Sequence, residues 1–449
     1  MDIDIIEELI EELIEAKNYI KVKAILSEMN DVDVAEVIKP YDPQMTLLLF
    51  RMLPKDLAVE VFAQFTPGQQ LSIVNSVTDK ELKGIIDELF FDDMIDLIEE
   101  MPANIVSKIL KYAGEEERKL INEFLKYPAD SAGSLMTIEY VELKESMTVK
   151  EAMDHIKEIG LNKETIYTCY ITDKKRTLEG FVSLRTLVVS DENLKVADIM
   201  ETDLMKVNTH DDQEEVANIF RKYGFLALPV VDKENRLIGI ITVDDIMDVI
   251  TQETAEDFQI MAAMSPSEEE YLDAKIWKLA LNRLPWLLLL MISATFTGRI
   301  MGKYESILTS VAVLGTFVPM LMDTGGNAGS QSSTLIIRGL AIGDIRTGDW
   351  FRVLLKEFSV SLTIGIILSL TNFFRLLVIE RVGVLMAATV SITLLITVML
   401  SKVIGGTLPI IAKKVKLDPA IMAGPLITTI VDAVSLMVYF AIATAMLGL

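Results

Sequence analysis

Thr428 and Asp432 stand four residues apart in GPLITTIVDAVSLMVYF, a stretch otherwise apolar enough to lie in a bilayer. That spacing puts a hydroxyl and a carboxylate on one face of a helix. An acid at the centre of a membrane costs about 2.5–3.5 kcal/mol on insertion scales, so it marks a function by default. A second polar run, DTGGNAGSQSSTLIIRG from Asp323 to Gly339, follows the apolar VAVLGTFVPMLM. Backbone interrupted by Gly and Pro at membrane depth is tolerated only when buried in protein or lining water. The expectation is a helix broken at these glycines, with carbonyls facing water and Asp432 supplying the charge of an ion path. Small residues also serve close helix packing, the alternative that weighs most for the isolated Gly365 and Ser369.

The donor types narrow the ion. Residues 271–449 contain no His or Cys, which argues against zinc or copper. Carboxylate, amide, hydroxyl and carbonyl oxygens suit hard divalent cations. Magnesium sheds its water reluctantly, so it needs few protein ligands and room for a hydrated ion. Spacing alone does not separate magnesium from manganese or calcium.

Carboxylates also cluster outside the apolar segments. FDDMIDLIEEM places Asp92 and Asp96 on one helical face with Asp93 offset, and DDIMDVITQETAED holds Asp244, Asp245, Asp248, Glu253, Glu256 and Asp257. A solvated surface is the plainer reading of any one of them. Two carboxylates about 6 Å apart, however, repel by roughly 2–3 kcal/mol at an effective dielectric near 20. An interface carrying several such contacts is pushed apart unless divalent ions bridge it.

The elements that must position these groups fall into unlike halves. Residues 1–270 carry a net charge of −30 and residues 271–449 a net of +6. The acidic half repels a phosphate backbone, which excludes nucleic acid as a partner. Its start, MDIDIIEELIEELIEAK, is an amphipathic helix without the basic region of a secretory signal. Residues 1–128 read as short helices opening on Thr, Asp, Pro or Gly signals, too short to bury their apolar faces alone and so stacked as an all-α superhelix. Residues 129–262 repeat internally: IMETDLMKVNTHDDQEEVANIFR echoes LMTIEYVELKESMTVKEAMDHIK, and IGIITVDDIM echoes EGFVSLRTLV. Each copy, about 129–200 and 201–262, reads as strand, helix, strand pair and helix. In the second the glycine pattern is intact as Gly239, Thr242 and Asp245; the first has Gly180 and Ser183 but Thr186 in place of the acid. The single cysteine, Cys169, excludes an internal disulfide and reads as a buried strand residue.

Residues 244–275 link this repeat to a membrane part, 276–449. Five apolar segments near 283–302, 307–337, 357–379, 383–410 and 420–447 each suit a spanning helix of about 20 residues. Lys and Arg crowd the flanks on one side, including Lys275, Arg283, Arg338, Arg352 and Lys413, which by the positive-inside rule puts the acidic half in the cytoplasm and the C-terminus outside.

PMLMDTGGNAGSQSSTLIIRGLA and DPAIMAGPLITTIVDAVSLMVYF strongly resemble the MgtE family of magnesium transporters and channels, and the repeat resembles a tandem pair of cystathionine-β-synthase (CBS) domains. The order of helical domain, α/β CBS pair, linking helix and all-α polytopic membrane domain matches along essentially the whole chain. The resemblance implies a homodimer in the cell membrane, its pore at the dimer interface, conducting Mg2+ down its gradient. By motif position Asp432 is the pore carboxylate, and Asn327, Ala328, Gly424 and Thr428 line the pore. The same resemblance implies closure by cytosolic Mg2+ bridging Asp92, Asp96, Glu214, Asp245, Asp248, Glu253, Glu256 and Asp257. CBS pairs often bind adenine nucleotides, which points to Tyr167, Arg185 and Phe225 for ATP; Thr186 argues against it, because an acid there would hold the ribose. Competing readings are a less selective path for Mn2+, Co2+ or Ca2+, and a membrane-tethered CBS sensor without transport. No nucleophile–base pair, phosphate loop or metal-His motif points to an enzyme.

Overall fold

The computed structural model describes residues 3–267, 271–272 and 274–448. Part of the expected 244–275 linker, residues 268–270 and 273, therefore lies outside the described residues. The chain divides into two compact units, Met1–Ile250 and Thr251–Leu449.

In the first unit, ten short helices run from Ile3–Glu15 to Glu115–Phe124 among the described residues. Their starts are chemically marked. Thr66 and Thr78 form capping boxes with Gln69 and Glu81, and Asp42 accepts hydrogen bonds from the N–H groups of Gln44 and Met45. Stacking buries the apolar strip of each helix, including Val61, Phe62, Val74, Leu82 and Ile95. Helix α1 (Phe91–Glu100) buries Met94, Ile95, Leu97 and Ile98, which leaves Asp92, Asp93 and Asp96 on the rest of its surface. The helical core does not stop at residue 128. It continues through Ala132 and Met136 into Val216, Phe220, Leu228 and Ile241 of the second repeat copy, whereas the first copy has its own core around Val141, Cys169 and Val182.

The repeat is structural as well as textual. Strands β1 (Val141–Leu143), β2 (Thr168–Thr172) and β3 (Leu178–Ser183) form one sheet, and β4 (Val207–Asn208), β5 (Ala227–Val231) and β6 (Leu237–Thr242) another. In each, the first pair is parallel, the second antiparallel, and the register slips at one irregular step. Gly180 and Gly239 occupy equivalent places: a Cβ on either would lie 2.6 Å from a carbonyl oxygen, of Glu201 and Thr137 respectively. Any side chain there would push the crossing backbone away. Cys169 is fully buried in β2, which pushes its thiol up to about 12.

Helix α2 (Val243–Met261) runs across the division between the units. The second unit then holds α3 (Ile276–Lys303), α4 (Val313–Ala341), α5 (Trp350–Val378), α6 (Val384–Lys414) and α7 (Gly424–Leu447). Among the described residues, α3, α5, α6 and α7 are each long and apolar enough to cross a membrane. The expected fifth span is α4, which has the length, 29 residues, but is diluted by its polar run.

That run also departs from expectation in shape. The helix is not broken at the glycines; α4 is continuous, with Pro319 inside it. Its glycines instead admit neighbouring helices. A Cβ on Gly325 would lie 2.8 Å from Thr397 on α6, on Gly326 3.1 Å from Thr428 on α7, and on Gly329 2.9 Å from Ile427. Close packing offsets the cost of glycine in a helix, about 1 kcal/mol each. The real interruption precedes α7, where a 3-10 turn (Pro419–Met422) gives way to Gly424 at φ +38°. Gly365 and Ser369 also serve packing: a Cβ on Gly365 would lie 2.7 Å from Leu395, and Ser369 donates to the Ser391 carbonyl.

Candidate functional site

With its glycine face packed, α4 turns a polar face outward. Asp323, Asn327 and Gln331, each four residues after the last, are exposed, while Gly325, Gly326, Ala328 and Gly329 are buried. Ala328 therefore turns away from the polar stripe. Beside the stripe lies α7. Its Thr428 and Thr429 hydroxyls both donate to the Pro425 carbonyl at 2.9 Å, leaving their oxygen lone pairs able to accept. Asp432, half-buried one turn on, has Asp323 as its charged neighbour, and among the described residues no hydrogen bond reaches its carboxylate. The two acids are thus neighbours, with the amides of Asn327 and Gln331 on the same stripe as Asp323 and the Thr428 hydroxyl one turn before Asp432.

The end of the linking helix meets this region. A Cβ on Gly424 would lie 2.6 Å from the carbonyl of Met261, the last residue of α2. Ile260 and Met261 pack on Ile337, Ala420 and Ala423, at the end of α4 and before α7. One turn back, Asp257 is pushed up to about 6, by burial first and then by Asp418 and Glu253, against the pull of Lys413. Asp418, which motif reasoning passed over, caps the 3-10 turn by accepting from the Ala420 N–H at 2.8 Å. Two further charges lie buried in the apolar helices, Glu357 on α5 and Lys402 on α6. The visible signal for both is a charged residue inside a long apolar run.

In the first unit, Asp92, Asp93 and Asp245 come together, joined by Glu139, Glu164 and Asp244. Glu139 fixes the arrangement: its carboxylate accepts from the Phe91 N–H at the start of α1 and from the Thr137 hydroxyl, and its carbonyl accepts from the Glu164 N–H. Burial, then Asp245 and Asp93, pushes Asp92 up to about 9. Burial with Asp245 and Glu139 pushes Asp93 to about 6, and burial with Asp245 and Asp244 pushes Glu164 to about 7. Asp245 reaches about 6, mainly by burial, although the Thr242 hydroxyl donates to it at 2.6 Å and pulls the other way. Asp96 is also raised, by desolvation and then Asp93, but its side chain is open to solvent, which screens the repulsion. Asp248, on the same helix as Asp245, and Glu214, in the first turn of its own helix, are exposed; Glu253 and Glu256 are half-buried on α2.

Among the described residues no three acids are arranged to hold one bare metal ion. The half-buried, mutually repelling carboxylates fit an ion that keeps its water and bridges through it, as magnesium does. The sign of the pH dependence follows. These acids are raised in the compact state, so its stability is fullest below their unfolded values, near 4, and is lost as pH rises through about 6 to 9. Without magnesium, protease cleavage of the acidic half should accelerate from about pH 5 to 8, and tens of millimolar magnesium should flatten the curve. Cleavage that slows over that range would contradict the assignment.

The nucleotide residues are more dispersed in character. Tyr167 and Arg185 are exposed, and Phe225 stacks on Tyr223. Thr186 accepts the turn that an acid occupies in the second copy. Its N–H donates to Ser183 Oγ at 3.0 Å and its hydroxyl shares a 2.8 Å bond with the same atom, much as Thr242 pairs with Asp245.

A stripe of acid and amide groups among apolar helices, a linking helix and an acidic CBS-bearing unit point to the class of cation transporters. Family models agree in order: the MgtE intracellular N domain matches residues 29–130, the CBS domain 196–252, and the MgtE divalent cation transporter 318–442. The chain is 34% identical over 433 residues to the magnesium transporter MgtE of Thermus thermophilus, covering 95% of each chain. It is 33% identical over 423 residues to that of Bacillus subtilis, covering 94% of this chain and 93% of the relative. The chain belongs to the MgtE family of magnesium transporters, which are divalent cation transporters and not enzymes. Among solved structures, the cytosolic domain of the Mg2+ channel MgtE in complex with ATP superposes with a TM-score of 0.51 at 34% identity, over 54% of this chain and 98% of that one. The soluble part of a magnesium transporter gives 0.52 at 29%, over 57% and 100%.

Proposed function

We propose that the chain is a magnesium channel of the cell membrane, working as a homodimer and closed by cytosolic magnesium. The observation that carries this reading is the stripe of Asp323, Asn327 and Gln331 on α4 beside Thr428 and Asp432. A carboxylate and two amides on the open face of a long helix do not face lipid. A second copy placed across the stripe encloses water between two sets of acids, and hydrated Mg2+ passes along them. Five spans, with α4 as the second, would leave the two ends on opposite sides, and the Lys and Arg flanks favour the acidic half in the cytoplasm and the C-terminus outside.

Closure uses the acids of the first unit and the linking helix. Magnesium offsets repulsion among Asp92, Asp93, Asp96, Glu139, Glu164, Glu214, Asp245 and Asp248, and between Glu253, Glu256 and Asp257 of α2 and Asp418 at the 3-10 turn. Helix α2 carries Asp245 near its start and Met261 at its end, so one element links the sensor acids to the membrane part. Uptake into proteoliposomes, with Mn2+, Co2+ and Ca2+ as competitors, tests the reading. Magnesium uptake resistant to the others supports it. Equal uptake of all four indicates the less selective path, and no uptake the tethered sensor.

A nucleotide response rests on Tyr167, Arg185 and Phe225 without a ribose-binding acid. Titration calorimetry is expected to show weak ATP binding, strengthened at least about tenfold in Thr186→Asp, since a hydrogen bond to a charged group contributes about 1.5–3 kcal/mol. Unchanged affinity in that variant would remove position 186 from the site.

A further inference from the structure

Glu357 and Lys402 are 9% and 4% exposed, deep between helices whose outer faces are apolar. A buried charge without compensation is strongly unfavourable, so each must answer to something. They meet through α4. Ser332, itself 1% exposed, donates from Oγ to Glu357 Oε2 at 2.5 Å. Lys402 Nζ donates to the same Ser332 Oγ and to Gln331 Oε1, each at 3.4 Å. The helices are shaped to admit the pair. Gly406 leaves room for the acid, since a Cβ there would lie 2.8 Å from Glu357 Cγ, and Gly405 abuts the backbone of Gly329.

Gln331 is the last member of the exposed stripe. A positive charge therefore reaches the polar face one turn beyond Asn327, and a negative charge sits behind it.

We propose that Glu357 and Lys402 form a charge-balanced pair that sets the potential at the Gln331 end of the cation path. Glu357 is a positioning residue that acts through Ser332, and Lys402 is a local barrier to cations that Glu357 offsets. The proposal rests on the reading that the stripe on α4 lines the path. Without the acid, the ammonium opposes a divalent ion with twice the force it would exert on a monovalent one. Without the base, the acid adds attraction.

The test is magnesium uptake by proteoliposomes of the full chain, with maximum rate and half-saturating concentration measured separately. Glu357→Gln keeps an oxygen to accept from Ser332, so the fold is retained while the balance is lost. Its half-saturating magnesium is expected to rise and its maximum rate to fall at least tenfold. Lys402→Met is expected to lower the half-saturating concentration. The double variant should return to within about threefold of the parent on both measures. A purely structural pair predicts near-parental uptake in Glu357→Gln, or a double variant no better than the worse single one; either result overturns the proposal. If Glu357→Gln does not fold, judged by thermal unfolding in detergent, an unchanged half-saturation in Lys402→Met overturns it alone. Asp432→Ala in the same assay keeps the two readings apart: parental uptake there removes the path itself, whatever the Glu357 variants do.

Discussion

Asp432→Ala is expected to abolish magnesium flux, by at least about a hundredfold, with the folded protein intact. A divalent ion about 6 Å from one carboxylate gains roughly 5 kcal/mol at an effective dielectric near 20. Losing half of that is already close to a hundredfold, at about 1.4 kcal/mol per factor of ten. The fold should tolerate the change, because among the described residues no hydrogen bond donor is left unpaired when the carboxylate goes. Asp432→Asn should be nearly as inactive, since the charge and not the shape is what the ion meets. Asp323→Asn should lose less, about tenfold, because Asp323 is the more exposed of the two acids. Currents from reconstituted protein measure all three. Parental currents in Asp432→Ala would end the assignment.

The second large effect concerns regulation. Neutralising Asp92, Asp93 and Asp245 together as asparagines should make flux insensitive to cytosolic magnesium. These are acids gathered around Glu139, with the Asp245 charge acting on both Asp92 and Asp93. With amides in their place most of the repulsion an ion would relieve is gone, and with it much of the charge that binds the ion. A compact state moves from a small minority to a large majority only if ions favour it by about 5.5 kcal/mol in total. Removing three of the strongest contributors takes most of that away. Flux recorded at low and high magnesium on the N-domain side should then coincide, and protease protection should stop depending on magnesium. A variant that keeps the parental response would move the sensor elsewhere.

What the sequence conveyed depended on range. Local signals were legible: the capping boxes at Thr66 and Thr78, the repeat with its paired glycines Gly180 and Gly239, and the buried Cys169 all have causes within a few residues. The continuity of α4 was not legible, because glycine's intrinsic cost in a helix is offset by α6 and α7, which pack on it from far along the chain. Glu139 and Glu164 are isolated acids in the sequence, and only the fold sets them beside α1. Asp418 belongs to no acidic cluster in the sequence, and only the fold makes it a charged neighbour of Asp257. Glu357, Ser332 and Lys402 come from three different helices, so no motif could have joined them. The stripe itself was half visible: its residue types announced a polar path, but its spacing of four gains meaning only on an unbroken helix.

The measurement that bears most directly on the whole account is magnesium uptake by proteoliposomes of the unaltered chain, with magnesium on the N-domain side as the variable. Uptake should be fast when that side is depleted and fall steeply through the millimolar range, where weak hydrated-ion sites of this kind fill. Uptake indifferent to magnesium on that side would contradict the account.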